Sequence, residues 1–331
     1  LEKLGITKKL VGTISVENEF KYKDLTITTK ELNELYENRL EKVFKCNDVN
    51  VGTESLELES LGRETLANKK NNIKSVNIGI QKPKILIPVF SGTNCEYDSA
   101  KAASKAGLEP EIVVIKNLNS KDISDSIDFI TKKINETQIV FIPGGFSGGD
   151  EPDGSAKFIV SFFRNAKVKE AITRLLEERE GLVAGICNGF QALVKLGLLP
   201  FGKIIDTDET SPSVTFNTIG RHQSKIVYTK IVSNNSPWLS NTKVGEVYAV
   251  PISHGEGRFI WNEEKTLELA RNAQIATQYV DLSKNATMDI QYNPNGSLFG
   301  IEGLISPCGK VFGKMGHSER KGKNVYKNIY G

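Results

Sequence analysis

Gly181-Leu182-Val183-Ala184-Gly185-Ile186-Cys187-Asn188-Gly189-Phe190-Gln191 is the stretch on which the fold of this chain turns. Its first six residues are an apolar run of strand length, and Phe190, Leu193, Val194 and Leu196 then recur at helical spacing until Gly197 stops them. A cysteine therefore stands on the turn from a strand into a helix. Glycines two residues before and two after it permit the sharp turn that leaves a nucleophile exposed at the carboxyl edge of a sheet. A thiol at a helix N-terminus also faces the positive end of the helix dipole, which favours the thiolate, the form that attacks. The bland reading of a cysteine is a small, inert, buried hydrophobe. The Gly-x-Cys-x-Gly context after a strand makes Cys187 a candidate nucleophile instead.

Upstream of this turn, strands and helices alternate. Strands are predicted at 85–90, 111–115 and 139–142, with a helix through Ala100, Ala103 and Ala106 to Gly107, another over about 121–135, and one long helix over roughly 155–179. That alternation predicts an α/β fold built on a parallel sheet covered on both faces. Ligands of such folds sit outside the carboxyl ends of the strands, so the loops after Ile142 and Ile186 share one crevice. Beyond Pro200 the pattern becomes mixed, with strands near 224–233, 246–252, 298–305 and 310–315, several alternating as antiparallel strands do. There is no internal repeat.

The N-terminal part differs. Residues 1–46 carry a strand-like segment at 10–16, a second around 25–27, and a helix opened by the capping box of Thr28 and Glu31. Leu32, Leu35, Tyr36, Leu40 and Val43 share one face of that helix, so it needs something to pack against. Residues 47–82 lack aromatics and are rich in Asn, Lys, Glu and Ser, the composition of a linker, which leaves 83–331 as the main domain. The chain starts at Leu1 and ends at Asn328-Ile329-Tyr330-Gly331 after a Lys-rich loop, from which a fragment of a longer chain is expected.

Composition narrows the function classes. Among 331 residues, 43 Lys and Arg face 40 Asp and Glu, a formal +3 that makes no bulk electrostatic case for nucleic acid or membrane binding. No apolar run approaches bilayer length and no signal-peptide pattern opens the chain, so it reads as cytoplasmic. Cys46, Cys95, Cys187 and Cys308 are far apart with no Cys-x-x-Cys pair, so neither a metal site nor a disulfide framework is expected.

Two further segments carry chemistry. Pro143-Gly144-Gly145-Phe146-Ser147-Gly148-Gly149-Asp150 follows a strand directly, and its glycines let backbone N–H groups turn inward. The N–H of Gly145 with that of Asn188 is the obvious pair to hold an oxyanion. No Gly-Lys-Ser/Thr follows, which removes a Walker phosphate loop. Of the histidines, His317 stands at the end of the last strand with Glu319 two residues on, where extended backbone would place both side chains on one side. His254 lies in the tight polar loop Ser253-His254-Gly255-Glu256-Gly257-Arg258, a ligand-binding loop or a simple turn, and His222 has no evident partner.

Glycine-rich loop, cysteine turn and terminal His-x-Glu, in this order, resemble the class I, or triad, glutamine amidotransferases. Gly144-Gly145-Phe146-Ser147 with Gly149-Asp150, Gly185-Ile186-Cys187-Asn188-Gly189-Phe190-Gln191, His254-Gly255-Glu256-Gly257-Arg258-Phe259, Asn293-Pro294-Asn295-Gly296-Ser297 and His317-Ser318-Glu319-Arg320 together are similar to the glutaminase domain of phosphoribosylformylglycinamidine synthases in their long single-chain form. The resemblance covers about 84–325. It implies a flavodoxin-like, open twisted, mostly parallel sheet with an antiparallel extension, and makes 1–46 a remnant of a preceding synthetase portion. It implies Cys187 as nucleophile, His317 as general base and then acid, Glu319 as its orienter, and Gly145 and Asn188 as oxyanion donors. Gln191, His254, Gly255 and Glu256 would lie near the substrate, L-glutamine. No cofactor is implied for this fragment, while ATP and Mg would belong to the absent synthetase portion of the same parent chain, its partner. Rival readings are a cysteine hydrolase or peptidase of a related sheet, a glutaminase for another amidotransferase pathway, and a non-enzymatic docking module. Members of the resembled family commonly carry prolines on both sides of the histidine; Gly316 and Ser318 stand there in this chain, which predicts a looser local backbone.

Overall fold

The computed structural model describes residues 12–37, 81–146, 156–208, 210–322, 325–326 and 329, divided between two compact units, Leu1–Asn50 and Val51–Gly331. In the first unit, β1 (Glu19–Tyr22) and β2 (Leu25–Thr28) form a hairpin closed by Lys23 and Asp24, with Lys23 at φ +54°. α1 (Thr29–Glu37) follows, and its capping box is made: the Glu31 carboxylate accepts the Thr28 N–H at 2.9 Å and the Thr28 hydroxyl accepts the Glu31 N–H at 3.1 Å. The strand expected at 10–16 is not formed over 12–16, because pairing is set by the two-residue turn at 23–24 and so starts later; residues 10 and 11 lie outside the described residues. Leu32 and Leu35 are exposed, while Leu40 and Val43 lie outside the described residues, as do 47–80 of the expected linker.

In the second unit β3 (Lys84–Val89), α2 (Glu96–Lys105), β4 (Glu109–Val114), α3 (Ser120–Glu136), β5 (Ile139–Ile142), α4 (Lys157–Phe163), α5 (Ala166–Glu177), β6 (Leu182–Ile186) and α6 (Asn188–Leu196) build the alternating half. The antiparallel half follows: β7 (Ser213–Phe216), β8 (Gln223–Ile231), β9 (Val247–His254), β10 (Glu256–Ile260), α7 (Glu263–Arg271), β11 (Ile275–Val280), β12 (Ile301–Ile305) and β13 (Val311–Lys314). Nine strands form one sheet in the order β4-β3-β5-β6-β13-β12-β11-β8-β9, and β7 pairs separately with β10. From β4 to β13 the pairings are parallel; from β13 to β9 they are antiparallel. The expected flavodoxin-like half and its antiparallel extension thus share a single sheet. β13 is the seam. It lies parallel to β6, so both strands deliver their carboxyl ends, and the residues after them, to the same edge.

Period-two alternation sorts the parallel strands between two apolar layers. Leu86, Val140, Ile142 and Val183 pack in one cluster with Ile130, Ile134, Ile172 and Phe190 of the helices, whereas Ile85, Ile87 and Ile139 meet Ala103 of α2 on the other face. The single helix expected over 155–179 is instead two. Asn165 interrupts it, its side chain accepting the Lys167 N–H at 3.1 Å, so a new N-cap re-aims the chain. Sequence reading also passed over β7, β10, β11 and α7, whose polar faces and short lengths give weak periodicity.

Candidate active site

The cysteine turn is forced by packing on every side. Cys187 adopts φ +53°, ψ −107°, a conformation that side-chain-bearing residues rarely hold and that costs about 1–3 kcal/mol. It is anchored through its N–H to the carbonyl of Lys314 on β13 at 2.9 Å, and its own carbonyl accepts the Gln191 N–H at 3.0 Å. The flanking glycines are required by space: a Cβ on Gly185 would come within 2.6 Å of the Gly189 backbone, and one on Gly189 within 2.0 Å of the Ile142 carbonyl oxygen. Helix α6 therefore lies flush against the ends of β5 and β6. The cysteine is 3% exposed, and its sulfur lies 3.9 Å from the Ser253 carbonyl oxygen.

His317 enters from the end of β13. Its backbone N–H is held by the Pro251 carbonyl at 2.9 Å, and its Nδ1 meets the Glu319 carboxylate at 2.6 Å. The expected pairing is present, but by a different route: the backbone after β13 leaves the extended form, with Ser318 N–H bonding the Gly316 carbonyl and Arg320 N–H that of His317, and this turn brings the carboxylate back. Both side chains are buried, 1% and 4% exposed. With Nδ1 engaged, Nε2 is left without a hydrogen-bond partner and available to the thiol. Burial opposes charge on this ring, yet Cys187, Cys95 and Glu319 outweigh it, and the His317 pKa is pushed up to about 12. The surroundings of the ring thus favour its protonated form.

Convergence is measured at Gly144. A Cβ built there would lie 2.7 Å from His317 Cε1, 3.1 Å from Cys95 Sγ and 3.4 Å from Cys187 Cβ. The glycine loop is pinned alongside: the Gly144 carbonyl accepts the N–H groups of Asn94 and Cys95 at 3.2 Å, and Phe146 N–H donates to Gly92 at 2.8 Å. Between these anchors a Cβ on Gly145 would stand 2.6 Å from the Gly92 carbonyl oxygen. Gly145 and Asn188 thus stand after the ends of the neighbouring parallel strands β5 and β6, while Ser147 to Asp150 lie outside the described residues.

The weaker candidates fall at the border of this site. Gln191 is a brace: its amide accepts from the Asn188 side chain at 2.9 Å and donates to the Glu256 carbonyl at 2.5 Å. The segment expected to be a tight polar loop is a corner where the chain leaves one sheet for another, β9 ending at His254 and β10 starting at Glu256 with Gly255 between. His254 is buried, its Nδ1 3.1 Å from Asn217 Oδ1, and burial first, then the charges of His317 and His222, lower its pKa to about 3. A pKa lowered in this way makes the ring a poor proton acceptor. His222 has a partner after all, Ser253 Oγ at 3.0 Å from its Nε2, and its ring centroid lies 5.9 Å from that of Phe146.

Sequence reading missed Cys95 and Arg320. Cys95 precedes α2 at the carboxyl end of β3, with its sulfur 3.0 Å from Asn94 Oδ1, 3.0 Å from Arg320 Nη2 and 3.9 Å from His317 Nδ1. The rule that put the loops after β5 and β6 in one crevice applies equally to the loop after β3 and would have found it. Donor atoms of Cys95, His317 and Glu319 lie within 4.8 Å of one another, the reach of a metal ion. Cys95 already faces the Arg320 guanidinium, a fixed positive charge that opposes a cation there.

Removing the Glu319 charge tests this electrostatic reading. Glu319→Gln withdraws a group that raises the His317 pKa, so the protonated ring should be lost at lower pH and the alkaline limb of any turnover that depends on Cys187 should move acidward, with that turnover falling about 10²-fold or more. An unmoved alkaline limb in kcat/KM profiles contradicts it.

A cysteine on a strand-to-helix turn, facing a His–carboxylate pair from the adjacent parallel strand, is a constellation suited to acyl transfer. Residues 82–331 match the family described as the CobB/CobQ-like glutamine amidotransferase domain, and the chain belongs to that family. It is 36% identical over 239 residues to the phosphoribosylformylglycinamidine synthase subunit PurQ of Methanococcus maripaludis, covering 72% of this chain and 82% of that protein. The subunit of the same name from Treponema denticola is 36% identical over 251 residues, covering 72% and 88%. Among solved structures, that of PurLQS from Thermotoga maritima matches with a TM-score of 0.51 and 26% identity over 72% of this chain and 89% of the other. No helix among the described residues is long and apolar enough to cross a membrane.

Proposed function

We propose that this chain is the glutaminase of a phosphoribosylformylglycinamidine synthase, releasing ammonia from L-glutamine through a thioester on Cys187. The observation that carries the proposal is the meeting of Cys187 and His317 at Gly144, with Glu319 on the far side of the ring. The surroundings of the ring favour its protonated form, so His317 takes the thiol proton of Cys187 as general base and leaves the attacking thiolate. The thiolate attacks the carboxamide carbon, and the developing oxyanion is taken by the N–H groups of Gly145 and Asn188. His317 gives its proton to the leaving nitrogen as the C–N bond breaks, which leaves a glutamyl thioester and free ammonia. Water then attacks the thioester, the neutral imidazole takes its proton, and glutamate leaves with the thiolate and imidazolium restored.

Ammonia released to neutral water becomes mostly ammonium, which is no nucleophile, so the product is useful only where it is handed on directly. The relatives are named as parts of phosphoribosylformylglycinamidine synthases; the receiver we assign is a synthetase portion that would use ATP and Mg to convert formylglycinamide ribonucleotide to the amidine. Residues 1–46 are assigned to the tail of that portion, and the cytoplasm is the assigned compartment. The test is direct. Incubated with glutamine, the chain should release glutamate and ammonia; given ATP, Mg, formylglycinamide ribonucleotide and ammonia, it should form no amidine. Amidine formation by this chain alone overturns the division of labour, and glutamine left untouched in the presence of the synthetase portion overturns the glutaminase reading.

A further inference from the structure

Glu302, on β12, is fully buried, and the chemistry above gives it no task. Ionised carboxylates are expensive to bury and persist when every oxygen is engaged. Oε1 accepts the backbone N–H of Gly316 at 2.6 Å; Oε2 accepts the Thr277 hydroxyl of β11 at 2.5 Å and lies 3.4 Å from the buried ammonium of Lys314. The Glu302 carbonyl takes the Met315 N–H at 3.0 Å besides. One residue thus grips the chain at 314, 315 and 316. The two ends of that grip lead to the two reacting groups: the Lys314 carbonyl holds the N–H of Cys187 at 2.9 Å, and Gly316 precedes His317. The backbone expected to be loose around Gly316 is therefore tied, by a bond that a proline nitrogen could not donate. Glycine is also needed there, since a Cβ would come within 2.8 Å of Glu302 Oε1 and 2.9 Å of Val250 Cγ2.

We propose that Glu302 is a positioning residue whose carboxylate, reaching Gly316 while paired with Lys314, sets the distance between the imidazole of His317 and the sulfur of Cys187. The proposal rests on the roles assigned to those two residues. A charge-assisted bond to a backbone N–H is shorter and stronger than a neutral one, which suits a group that must stop a strand end from drifting. Mere filling of this space would be served as well by apolar side chains, because replacing a buried ion pair by hydrophobic residues is often neutral or stabilising.

Reach, rather than charge, is what the test varies. Glu302→Asp keeps the charge but draws the oxygen back from Gly316, whereas Glu302→Gln keeps an oxygen at the same reach and gives up the charge. Measured on the full chain, kcat for glutamine hydrolysis should fall about 10- to 100-fold in Glu302→Asp with KM within about twofold, the size expected of a misplaced catalytic group. In Glu302→Gln made together with Lys314→Met, so that no buried ammonium is stranded, it should fall no more than about threefold, because the neutral bond is weakened rather than lost. Alkylation of Cys187 by iodoacetamide at neutral pH should slow in parallel in Glu302→Asp, because the thiol loses a nearby positive charge as the imidazole withdraws. If Glu302→Asp proves unstable, the double variant Glu302→Leu, Lys314→Met removes the grip without stranding a charge, and the same loss of kcat at unchanged KM is expected. Parental kcat in the folded Asp or double variant, or an equal loss in Gln and Asp, overturns the proposal. Cys187→Ser run alongside separates the two levels: survival of turnover there would sink the assignment of the nucleophile, not this inference.

Discussion

Cys187→Ser will leave a folded protein whose glutamine turnover is lower by about 10³-fold or more, the scale on which loss of a nucleophile is felt in enzymes of this logic. Folding is expected to survive because serine differs by one atom and meets the same backbone: the φ of +53°, the N–H bond to Lys314 and the contact with Gly144 do not depend on sulfur. Chemistry should not survive, because the site is built to share a proton between a thiol and an imidazole. The raised pKa of His317 owes part of its size to Cys187, and a hydroxyl is far too weak an acid to sustain that ion pair at working pH. The oxygen would therefore stay protonated, and the imidazole would lose the interaction that keeps it charged. Ammonia release under saturating glutamine, with the melting temperature as control, measures the effect. A serine variant that keeps more than about a tenth of parental turnover would place the nucleophile elsewhere.

How much of this site is legible in the sequence follows the range of the interactions. The cysteine turn is legible because its determinants, a strand-length apolar run, two glycines and a helical period, all lie within residues 181–196. The pairing of His317 with Glu319 was also local, although the supposed extended backbone proved to be a turn. What stayed hidden depends on which strands are neighbours. That the last strand inserts between β6 and β12, parallel to one and antiparallel to the other, is invisible to periodicity, yet it alone brings Lys314 to Cys187 and Glu302 to Gly316. Cys95 and Arg320 meet for the same reason, across more than half of the chain. Likewise the corner at His254-Gly255-Glu256 reads as a polar turn until the separate pairing of β7 with β10 shows that the chain changes sheets there. Local pattern gave the candidate reacting groups, and only topology gave the groups that hold them.

Gly144→Ala should come close to the nucleophile's own loss in effect, although it removes no functional group. Gly144 does not hold a positive φ, so its backbone accepts alanine; the difficulty is the methyl group itself. It would stand 2.7 Å from His317 Cε1, well inside van der Waals contact, with Cys95 Sγ at 3.1 Å and Cys187 Cβ at 3.4 Å closing the other sides. Neither the cysteine nor the end of β13 can move away, the one fixed by Lys314 and the other by Glu302 and Pro251, so the imidazole ring must turn or withdraw. Overpacking of this kind costs about 1–3 kcal/mol, a modest loss of stability. Displacing the proton donor by even about 1 Å can cost about 10²-fold in rate, so kcat should fall by at least that while the melting temperature moves little. Gly145→Ala is the contrast. There the added carbon meets backbone, the Gly92 carbonyl oxygen and Thr93 Cα at 2.6 Å, so the loop itself must shift and stability should fall together with activity. If Gly144→Ala turned glutamine over at the parental rate with an unchanged pH profile, the imidazole would have to lie outside the reaction path, and the meeting of sulfur and ring beside this glycine would be packing without chemistry.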